Sequence, residues 1–395
     1  MKSPVYLDDH ATTRVDPRVL EAMLPYFTEK FGNAASRGHA FGWVADKAVE
    51  RAREQVAAAI GAQAAEVVFT SGATESDNLA IKGALEAYTQ RGDHVVTVTT
   101  EHKAVLDTCQ HLERTGRARV TYVAPRPDGL VDLDAVAAAI EPRTVLVAVM
   151  AANNEVGVLQ PLEDLGALCR SREVLFFTDA AQAAGKVPID VEAQRIDLLA
   201  LSGHKVYGPK GVGALFVRRR APRVRLGAQQ HGGGHERGMR SGTLDVPGIV
   251  GLGVALDLAR REQAEEALRV ARLRDRLWAG LKARVPGVRL NGHAERRLPG
   301  NLNVTFRGVQ GEALMNAARD VAVSSGAACS SADNEPSHVL RALGLPDEEV
   351  VGSIRFGLGR FTTEEEVDFA VDHVARGVER LREVSGAAAD YHEGR

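Results

Sequence analysis

Seven short β-branched runs recur between residues 66 and 218, and they constrain the fold more than any other feature of the sequence. The runs are EVVFTS, HVVTVTT, RVTYVA, TVLVAVM, VLFFTDA, DLLALS and VGALFV. Amphipathic stretches with apolar residues three and four positions apart separate several of them. Alternating strands and helices predict an α/β protein whose mainly parallel sheet is covered on both faces. Ligands of such sheets bind beyond the carboxyl ends of the strands, so we expect the functional site there.

The length of the chain predicts two domains, because 395 residues exceed what one hydrophobic core usually supports. The alternating pattern breaks at residues 221–248, a glycine-dense stretch too long for a simple turn. A long, charged helical region follows and predicts the bridge into a smaller domain of helices and short strands. The predicted limits are a large domain at 15–255, a small α+β domain at 256–380 joined by residues 1–14, and a frayed tail at 381–395.

The charge balance and the cysteine pattern exclude several function classes. The 49 basic and 52 acidic residues give a net charge of −3, which argues against nucleic acid or a membrane surface as a partner. The three cysteines lie far apart without a C-x-x-C pair, which excludes a disulfide framework and a sequence-local zinc site. No run of about eighteen apolar residues and no signal-peptide pattern occurs. We expect a cytoplasmic protein that acts on a small metabolite.

One lysine stands where lysines are unusual, in SGHKVYGPKG directly after the apolar run DLLAL. Lys205 is either an odd surface charge or an amine kept for its chemistry. An amine that forms a Schiff base with a cofactor aldehyde must lose its proton, and a dry pocket beside cationic groups lowers its pKa in that direction. On this interpretation Ser202 and His204 help to bind the phosphate of the cofactor.

Three further strand exits fit the same hypothesis. The turn in FTSGATESDN runs into a helix whose N-terminus attracts anions, and Thr74 adds a hydroxyl. Asp179 ends an apolar strand, where a carboxylate needs a cationic partner, and with Gln182 it predicts a site for the pyridinium of pyridoxal phosphate. His102 can stack on the ring and move a proton. Each residue also has a structural interpretation as a cap, a salt bridge or a buried histidine, but together they favour a cofactor site.

Long motifs along nearly the whole chain resemble those of the cysteine desulfurases, specifically the iron–sulfur-assembly branch. These are pyridoxal-phosphate enzymes of aminotransferase fold type I, with a large domain and a smaller α+β C-terminal domain. The resemblance is carried by YLDDHATTRVDPRVLEAMLPYF, FTSGATESDNLAIKG, TEHKAVLDTC, NNEVGVLQP, TDAAQAAGK, SGHKVYGPKG, HGGGHERGMRSGT, SSGAACSSA, PSHVLRALG and IRFGLGRFTTEEE.

The resemblance implies a role for each of a set of residues. It implies that Lys205, Cys329 and His102 are catalytic, with Lys205 attaching the cofactor and moving the Cα proton of the substrate. It implies that the substrate carboxylate is bound by Arg355 with help from Asn33, a task that suits a bidentate guanidinium. The residues that it implies for binding pyridoxal 5′-phosphate are Ala73, Thr74, His102, Asn154 (also facing the substrate), Asp179, Gln182, Ser202, Gly203, His204, Lys205 and, from the other subunit of a homodimer, Thr243.

Cys329 lies in SSGAACSSADNEPSH, a run of small residues that predicts a mobile loop. The resemblance implies that its thiolate takes sulfur from L-cysteine as a persulfide and leaves L-alanine. The persulfide would supply an iron–sulfur scaffold or another sulfur carrier, as in tRNA thiolation. No resident metal is implied, although Cys329 can ligate a transient cluster on a partner. Cys109 and Cys169, in helix-like surroundings, fit ordinary buried cysteines.

Three alternatives stay open at this point. Another fold type I enzyme, such as a selenocysteine lyase or an aminotransferase, would share Lys205 but not the cysteine loop. A metalloprotein is suggested by His231 and His235 in HGGGHERG, although the glycines disfavour a helix and Met239 replaces the histidine that a helical motif needs. A non-catalytic sulfur-transfer platform would have no use for a buried amine. The identity of the sulfur acceptor is not encoded in any of these motifs.

Overall fold

The computed structural model of the protein describes residues 4–325 and 336–385. Its helices are α1 (Pro17–Met23), α2 (Pro25–Thr28), α3 (Ala40–Ala59), α4 (Ala73–Ala87), α5 (Lys103–Arg114), α6 (Leu133–Ala139), α7 (Leu162–Ser171), α8 (Val246–Arg284), α9 (Gly311–Ala317), α10 (His338–Ala342), α11 (Asp347–Val351) and α12 (Glu364–Ser385). Its strands are β1 (Val5–Tyr6), β2 (Val67–Thr70), β3 (His94–Val98), β4 (Arg119–Val123), β5 (Thr144–Ala148), β6 (Leu175–Asp179), β7 (Leu198–Ser202), β8 (Gly213–Val217), β9 (Val288–Leu290), β10 (Asn301–Phe306), β11 (Val321–Ala322), β12 (Ser324–Ser325) and β13 (Ser353–Gly357). Among the described helices, none combines the length and the apolar composition needed to cross a lipid bilayer.

The seven predicted runs form a single sheet in the described part of the chain, in the order β2, β8, β7, β6, β5, β3, β4. Strands β3 to β7 are mutually parallel, whereas β8 is antiparallel to both β7 and β2. The central strands are buried along their whole length, as a sheet covered on both faces requires. The predicted α/β fold with a mainly parallel sheet is confirmed.

Two apolar clusters cover the two faces of this sheet. Helices α3, α7 and α8 pack on one face and helices α4 and α5 on the other. Successive strand residues such as Phe176 and Phe177 belong to opposite clusters, because neighbouring side chains of a strand point to opposite faces. The carboxyl ends of the parallel strands β3, β5, β6 and β7 therefore lie side by side at one end of the sheet, where the loops that follow them meet.

Helix α8 joins this core to a second one. Ile249 and Leu256 pack in the large domain, and Leu273 and Leu277 pack in the second cluster. There a sheet in the order β12, β13, β10, β9 packs with α12, and β1 pairs with β11, so the N-terminus joins the smaller domain. The predicted boundary at 255/256 falls inside this continuous helix. The chain does not break between the two cores, because α8 runs through both and packs against different residues in each. The domain limits stay a prediction.

The C-terminal helix continues beyond the start predicted for the frayed tail. Residues 381–385 are helical within α12, and residues 386–395 lie outside the described residues. Arg382 accounts for the extension, because its buried guanidinium donates to the carbonyl oxygens of Pro286 (2.9 Å) and Arg307 (2.8 Å). These hydrogen bonds anchor the last described turn of α12 to the rest of the small domain.

A buried ion pair fixes the glycine-dense loop to the large domain. Arg53 of α3 binds both carboxylate oxygens of Glu236, at 2.7 and 2.8 Å, and both side chains are buried. The same carboxylate accepts a hydrogen bond from the backbone N–H of Phe69 in β2 (2.8 Å). The loop therefore depends on one carboxylate that satisfies three buried donors.

We predict that Glu236→Ala lowers the free energy of unfolding by about 3–5 kcal/mol, because it removes the buried carboxylate that pairs with Arg53 and leaves, among the described residues, only the exposed Glu50 (3.0 Å) as an ionic partner. Urea unfolding followed by circular dichroism measures the change. The double variant Arg53→Met/Glu236→Leu removes both charges and is expected to lie closer to the wild type. A Glu236→Ala variant as stable as the wild type would contradict the role of this pair.

Candidate active site

A cavity of about 610 Å³ opens at the carboxyl ends of the parallel strands. The N-terminal segment contributes His10, Ala11 and Thr12 to its wall. The predicted site residues that line it are Ala73, Thr74, His102, Asn154, Asp179, Gln182, Ser202, His204, Lys205 and Arg355. The edge of the sheet thus collects polar side chains from segments far apart in the sequence.

The amine of Lys205 enters the cavity from the short turn Gly203–Lys205 after β7. Nζ donates hydrogen bonds to the carbonyl oxygens of His10 (2.6 Å) and Ala11 (2.7 Å). Gly203 does not line the cavity in the described chain, but a Cβ on it would lie 2.8 Å from the carbonyl oxygen of Pro209. A side chain at this position would therefore require the turn that presents the lysine to shift.

Asp179 is a buried acid at the end of β6, with 5% of its surface exposed. Its Oδ1 accepts a hydrogen bond from the backbone N–H of Ala181 (2.8 Å). Burial raises the pKa of Asp179, and the nearby His102 only partly opposes this. A carboxyl in such surroundings is stabilised in its charged form when a ligand brings a cation beside it.

His102 precedes α5 and caps it. Its Nδ1 accepts a hydrogen bond from the backbone N–H of Ala104 (3.1 Å), so the ring hydrogen is on Nε2. The ring is open to the cavity, yet it lies deep enough that burial lowers the pKa of His102, with Asp179 opposing the shift. The structure therefore presents a neutral imidazole.

The N-terminus of α4 forms the anion-binding end of the cavity. Gly72, with φ of +149°, precedes the helix and gives it no side-chain cap. The hydroxyl oxygen of Ser202 lies 3.8 Å from the position that a Cβ on Gly72 would take, so the space in front of the helix is open. Thr74 and His204 border the same cavity. Free N–H groups, a positive helix end and hydroxyls are the groups that bind phosphate.

Arg355 of β13 brings a guanidinium from the small domain, and 2% of its surface is exposed. Its Nη2 donates to Asp8 Oδ1 (2.8 Å) and Ser324 Oγ (3.0 Å), and its Nη1 donates to the carbonyl oxygen of Asn154 (3.0 Å). These contacts orient the planar fork toward the cavity, where it can bind a carboxylate.

The comparisons with known proteins decide the family. The class-V aminotransferase family model matches residues 5–369. Cysteine desulfurase IscS of Anaeromyxobacter dehalogenans (strain 2CP-C) is 60% identical over 98% of this chain and 95% of its own length. Cysteine desulfurase IscS of Methylococcus capsulatus is 59% identical over 100% and 97%. A solved NifS-like protein matches with a TM-score of 0.89 and 38% identity, covering 95% of this chain and 100% of its own.

The chain belongs to the cysteine desulfurases. The family predicted from the motifs and its fold type I architecture are confirmed, and the enzymes of this family depend on pyridoxal 5′-phosphate. Among the residues that the structure describes, no group of three or more His, Cys, Asp or Glu side chains could hold a metal ion. His235 instead accepts a hydrogen bond from the backbone N–H of Gly242 (3.3 Å).

The cavity of this desulfurase fits pyridoxal 5′-phosphate in three respects. The uncapped N-terminus of α4 suits the phosphate. The buried carboxyl of Asp179, whose pKa burial raises, suits a protonated ring nitrogen. The amine of Lys205 lies in the same cavity and is held by two carbonyl oxygens. These residues would hold the cofactor at its phosphate, its ring and its aldehyde.

Besides Gly203, three predicted residues lie away from the cavity or beyond the described chain. Asn33 is exposed, and its Oδ1 accepts a hydrogen bond from the backbone N–H of Ala35 (2.9 Å), so one chain alone does not bring it to Arg355. Thr243 is also exposed and does not line the cavity of its own chain, and its role in a second subunit stays a prediction. Cys329 lies outside the described residues.

The two other cysteines of this desulfurase are buried in helices α5 and α7. Burial raises the pKa of both Cys109 and Cys169 to about 12. Because the thiolate is the nucleophile, such cysteines are unreactive. The geometry agrees with the interpretation of both as ordinary buried cysteines.

Sequence reasoning missed the N-terminal segment and the acids behind the cavity. Asp8 binds Arg355, and His10 lies against Gln182, yet YLDDHATT served only as a family motif. Asp77 and Glu101 are also fully buried, and burial raises the pKa of each carboxyl. For Asp8 and Glu101 the available signal was a polar cluster soon after an apolar strand, as for Asp179, whereas Asp77 lies within α4 and carries no such signal.

Proposed function

We propose that this cysteine desulfurase converts L-cysteine to L-alanine and leaves the sulfur on Cys329 as a persulfide. The observation that carries the proposal is the cavity that Lys205, Asp179 and Arg355 line together, with an amine, an acid and a guanidinium. A solved relative described as SspA in complex with cysteine, 38% identical with a TM-score of 0.79 over 91% of this chain and 99% of its own, supports cysteine as the substrate.

Substrate binding is assigned to Arg355, with Asn154 on the same side of the cavity. Asp8 and Ser324 hold the guanidinium in place, so its orientation is set before the substrate arrives. A fork of two parallel N–H donors matches a carboxylate. This contact would fix the amino acid with its Cα toward Lys205.

Proton movement is assigned to Lys205, with His102 beside it. Bound pyridoxal 5′-phosphate supplies an electron sink for the charge that develops when the Cα proton leaves. Lys205 takes that proton and later returns it, because its amine projects into the cavity and is held by the carbonyl oxygens of His10 and Ala11. Asp179 would hold a ring nitrogen in its protonated form, and the neutral imidazole of His102, which lines the same cavity, would lie against the ring.

Sulfur transfer is assigned to the thiolate of Cys329. A bond forms between its sulfur and the substrate sulfur while the Cβ–S bond of the substrate breaks. The electron pair of the broken bond stays with carbon, which is protonated to the methyl group of alanine. The step is balanced without an oxidant, and two thiol equivalents later release the persulfide as sulfide. We propose that an iron–sulfur scaffold or another sulfur carrier in the cytoplasm receives this sulfur.

An apolar surface supports a homodimer. Seven large hydrophobic side chains between α1 and the first turns of α3 are exposed: Leu20, Leu24, Phe27, Phe31, Phe41, Trp43 and Val44. The rings of Phe31 and Phe41 also contact each other, with centroids 5.2 Å apart. Exposed apolar side chains concentrated in one short stretch of chain indicate an interface. We propose a second copy of this chain as the occupant, with Thr243 contributed to its cavity.

The activity test compares the wild type with Cys329→Ala and, as a matched control, Cys109→Ala. Each protein receives pyridoxal 5′-phosphate, L-cysteine and dithiothreitol, and alanine and sulfide are measured. We expect both products to fall by about 10²-fold or more in Cys329→Ala, the scale of removing a nucleophile, and to persist in Cys109→Ala. Full sulfide release by Cys329→Ala would contradict the persulfide, and no alanine from the wild type would contradict the activity.

The dimer test uses light scattering after size exclusion. We expect the wild type at twice the chain mass of 42.3 kDa and Phe27→Asp/Phe31→Asp at the monomer mass, because two buried charges disfavour an apolar interface. Leu268→Asp is the control, since Leu268 is 62% exposed on α8, far along the chain from this surface. A monomeric wild type, or an undisturbed double variant, would contradict the proposed interface.

A further inference from the structure

The side chain of Gln182 has three hydrogen-bond contacts behind the cavity that it lines. Its Nε2 donates to the carbonyl oxygen of His10 (2.9 Å). Its Oε1 lies 3.0 Å from His10 Nδ1 and accepts a hydrogen bond from Lys186 Nζ (3.2 Å). Gln182 is 4% exposed and lines the cavity, so its amide faces only these groups and the cavity.

These contacts allow only one orientation of the amide. A carbonyl oxygen only accepts hydrogen bonds, so the nitrogen of Gln182 must face the carbonyl of His10. The reversed amide would set two oxygens 2.9 Å apart. The oxygen of Gln182 therefore faces Lys186 and the ring of His10, and His10 carries its hydrogen on Nδ1. Burial lowers the pKa of His10 well below its usual value, in agreement with a neutral ring.

The orientation determines what Gln182 offers to a ligand. An amide nitrogen has two N–H groups, and the carbonyl of His10 takes one of them. Its oxygen is already occupied by two partners on the protein side. The second N–H is the group left for the cavity, so a ligand atom at this position must be a hydrogen-bond acceptor, such as an anionic oxygen.

The partners of Gln182 are His10 and Lys186, and of these His10 also accepts a hydrogen bond from Lys205. No role has yet been given to Lys186. It lies one turn after Gln182, on the side of the cavity wall where a small second cavity of about 30 Å³ is lined by His10, Tyr207, Glu266 and Gly359. That volume suits about one water molecule. The charged groups around Lys186 are Asp9 and Glu266, which are acidic, and Lys205 and Arg355, which are basic.

We propose that Lys186 is a positioning residue that, together with His10, fixes the amide of Gln182 so that its N–H meets the ring hydroxyl oxygen of pyridoxal 5′-phosphate. The inference rests on the proposed function, because it takes the cavity as the cofactor site. Lys186 acts through Gln182 and does not touch the cofactor. Its amine also places a hydrogen-bond donor, rather than an apolar group, behind the amide oxygen, which polarises the N–H that faces the ligand.

The test measures cofactor binding to the apoprotein and the pH titration of its visible absorption in Lys186→Met. Loss of one hydrogen bond predicts about 3- to 10-fold weaker binding of pyridoxal 5′-phosphate. It also predicts a titration midpoint about 0.5–1 unit higher, because a donor that stabilises an anionic oxygen is weakened. Lys186→Arg keeps a donor and is expected to restore both values. Lys282→Met, an exposed lysine of α8, is the matched control and should change neither.

A double variant separates positioning from charge balance. Asp9→Asn/Lys186→Met removes one acid and one base together, so the same losses are expected if the contact with Gln182 matters. Recovery of wild-type values in the double variant would overturn the inference, as would unchanged binding and midpoint in Lys186→Met. A wild type that binds no cofactor at all would instead overturn the proposed function and this inference with it, so the two failures are distinguishable.

Discussion

Two hydrogen bonds from the amine of Lys205 to the carbonyl oxygens of His10 and Ala11 hold the site together. A lysine at the end of an apolar strand needs acceptors, because a buried amine without them is costly. The N-terminal segment supplies these acceptors by crossing over the strand ends. The same carbonyl of His10 accepts from Gln182, and Asp8 in this segment holds Arg355. Lys205, Gln182 and Arg355, to which we assign the cofactor and the substrate, are therefore parts of one connected unit.

The electrostatics of the cavity follow from the burial of acids in the large domain. Asp179, Asp77 and Glu101 are buried, and the pKa of each is raised by burial first. The charge of one of these carboxyls disfavours the charge of the next, because like charges repel strongly where water is scarce. Of these three acids Asp179 is the one that lines the cavity, where a protonated ring nitrogen would stabilise its carboxylate. The protein without its cofactor thus has a place for a cation built into its core.

Much of the fold and of the site was predictable because both depend on local patterns. Strands buried on both faces are apolar runs, and polar residues that end such runs, such as Asp179 and Ser202, must face the open edge of the sheet. The rest depends on contacts between distant segments. His10 and Gln182 are 172 positions apart, and no periodicity marks that pair. For the same reason, the sequence did not show that α8 continues through both cores. Its apolar residues pack in the large domain along the first half of the helix and in the small domain along the second half.

The central claim is that Lys205 attaches the cofactor, and borohydride reduction tests it most directly. The wild type is loaded with pyridoxal 5′-phosphate, reduced, digested and analysed by peptide mass spectrometry. Lys210 also lines the cavity and Lys186 lies behind it, so the protein supplies its own competing amines. The account predicts the cofactor adduct on the peptide that carries Lys205. An adduct on Lys186 or Lys210, or none at all, would contradict it.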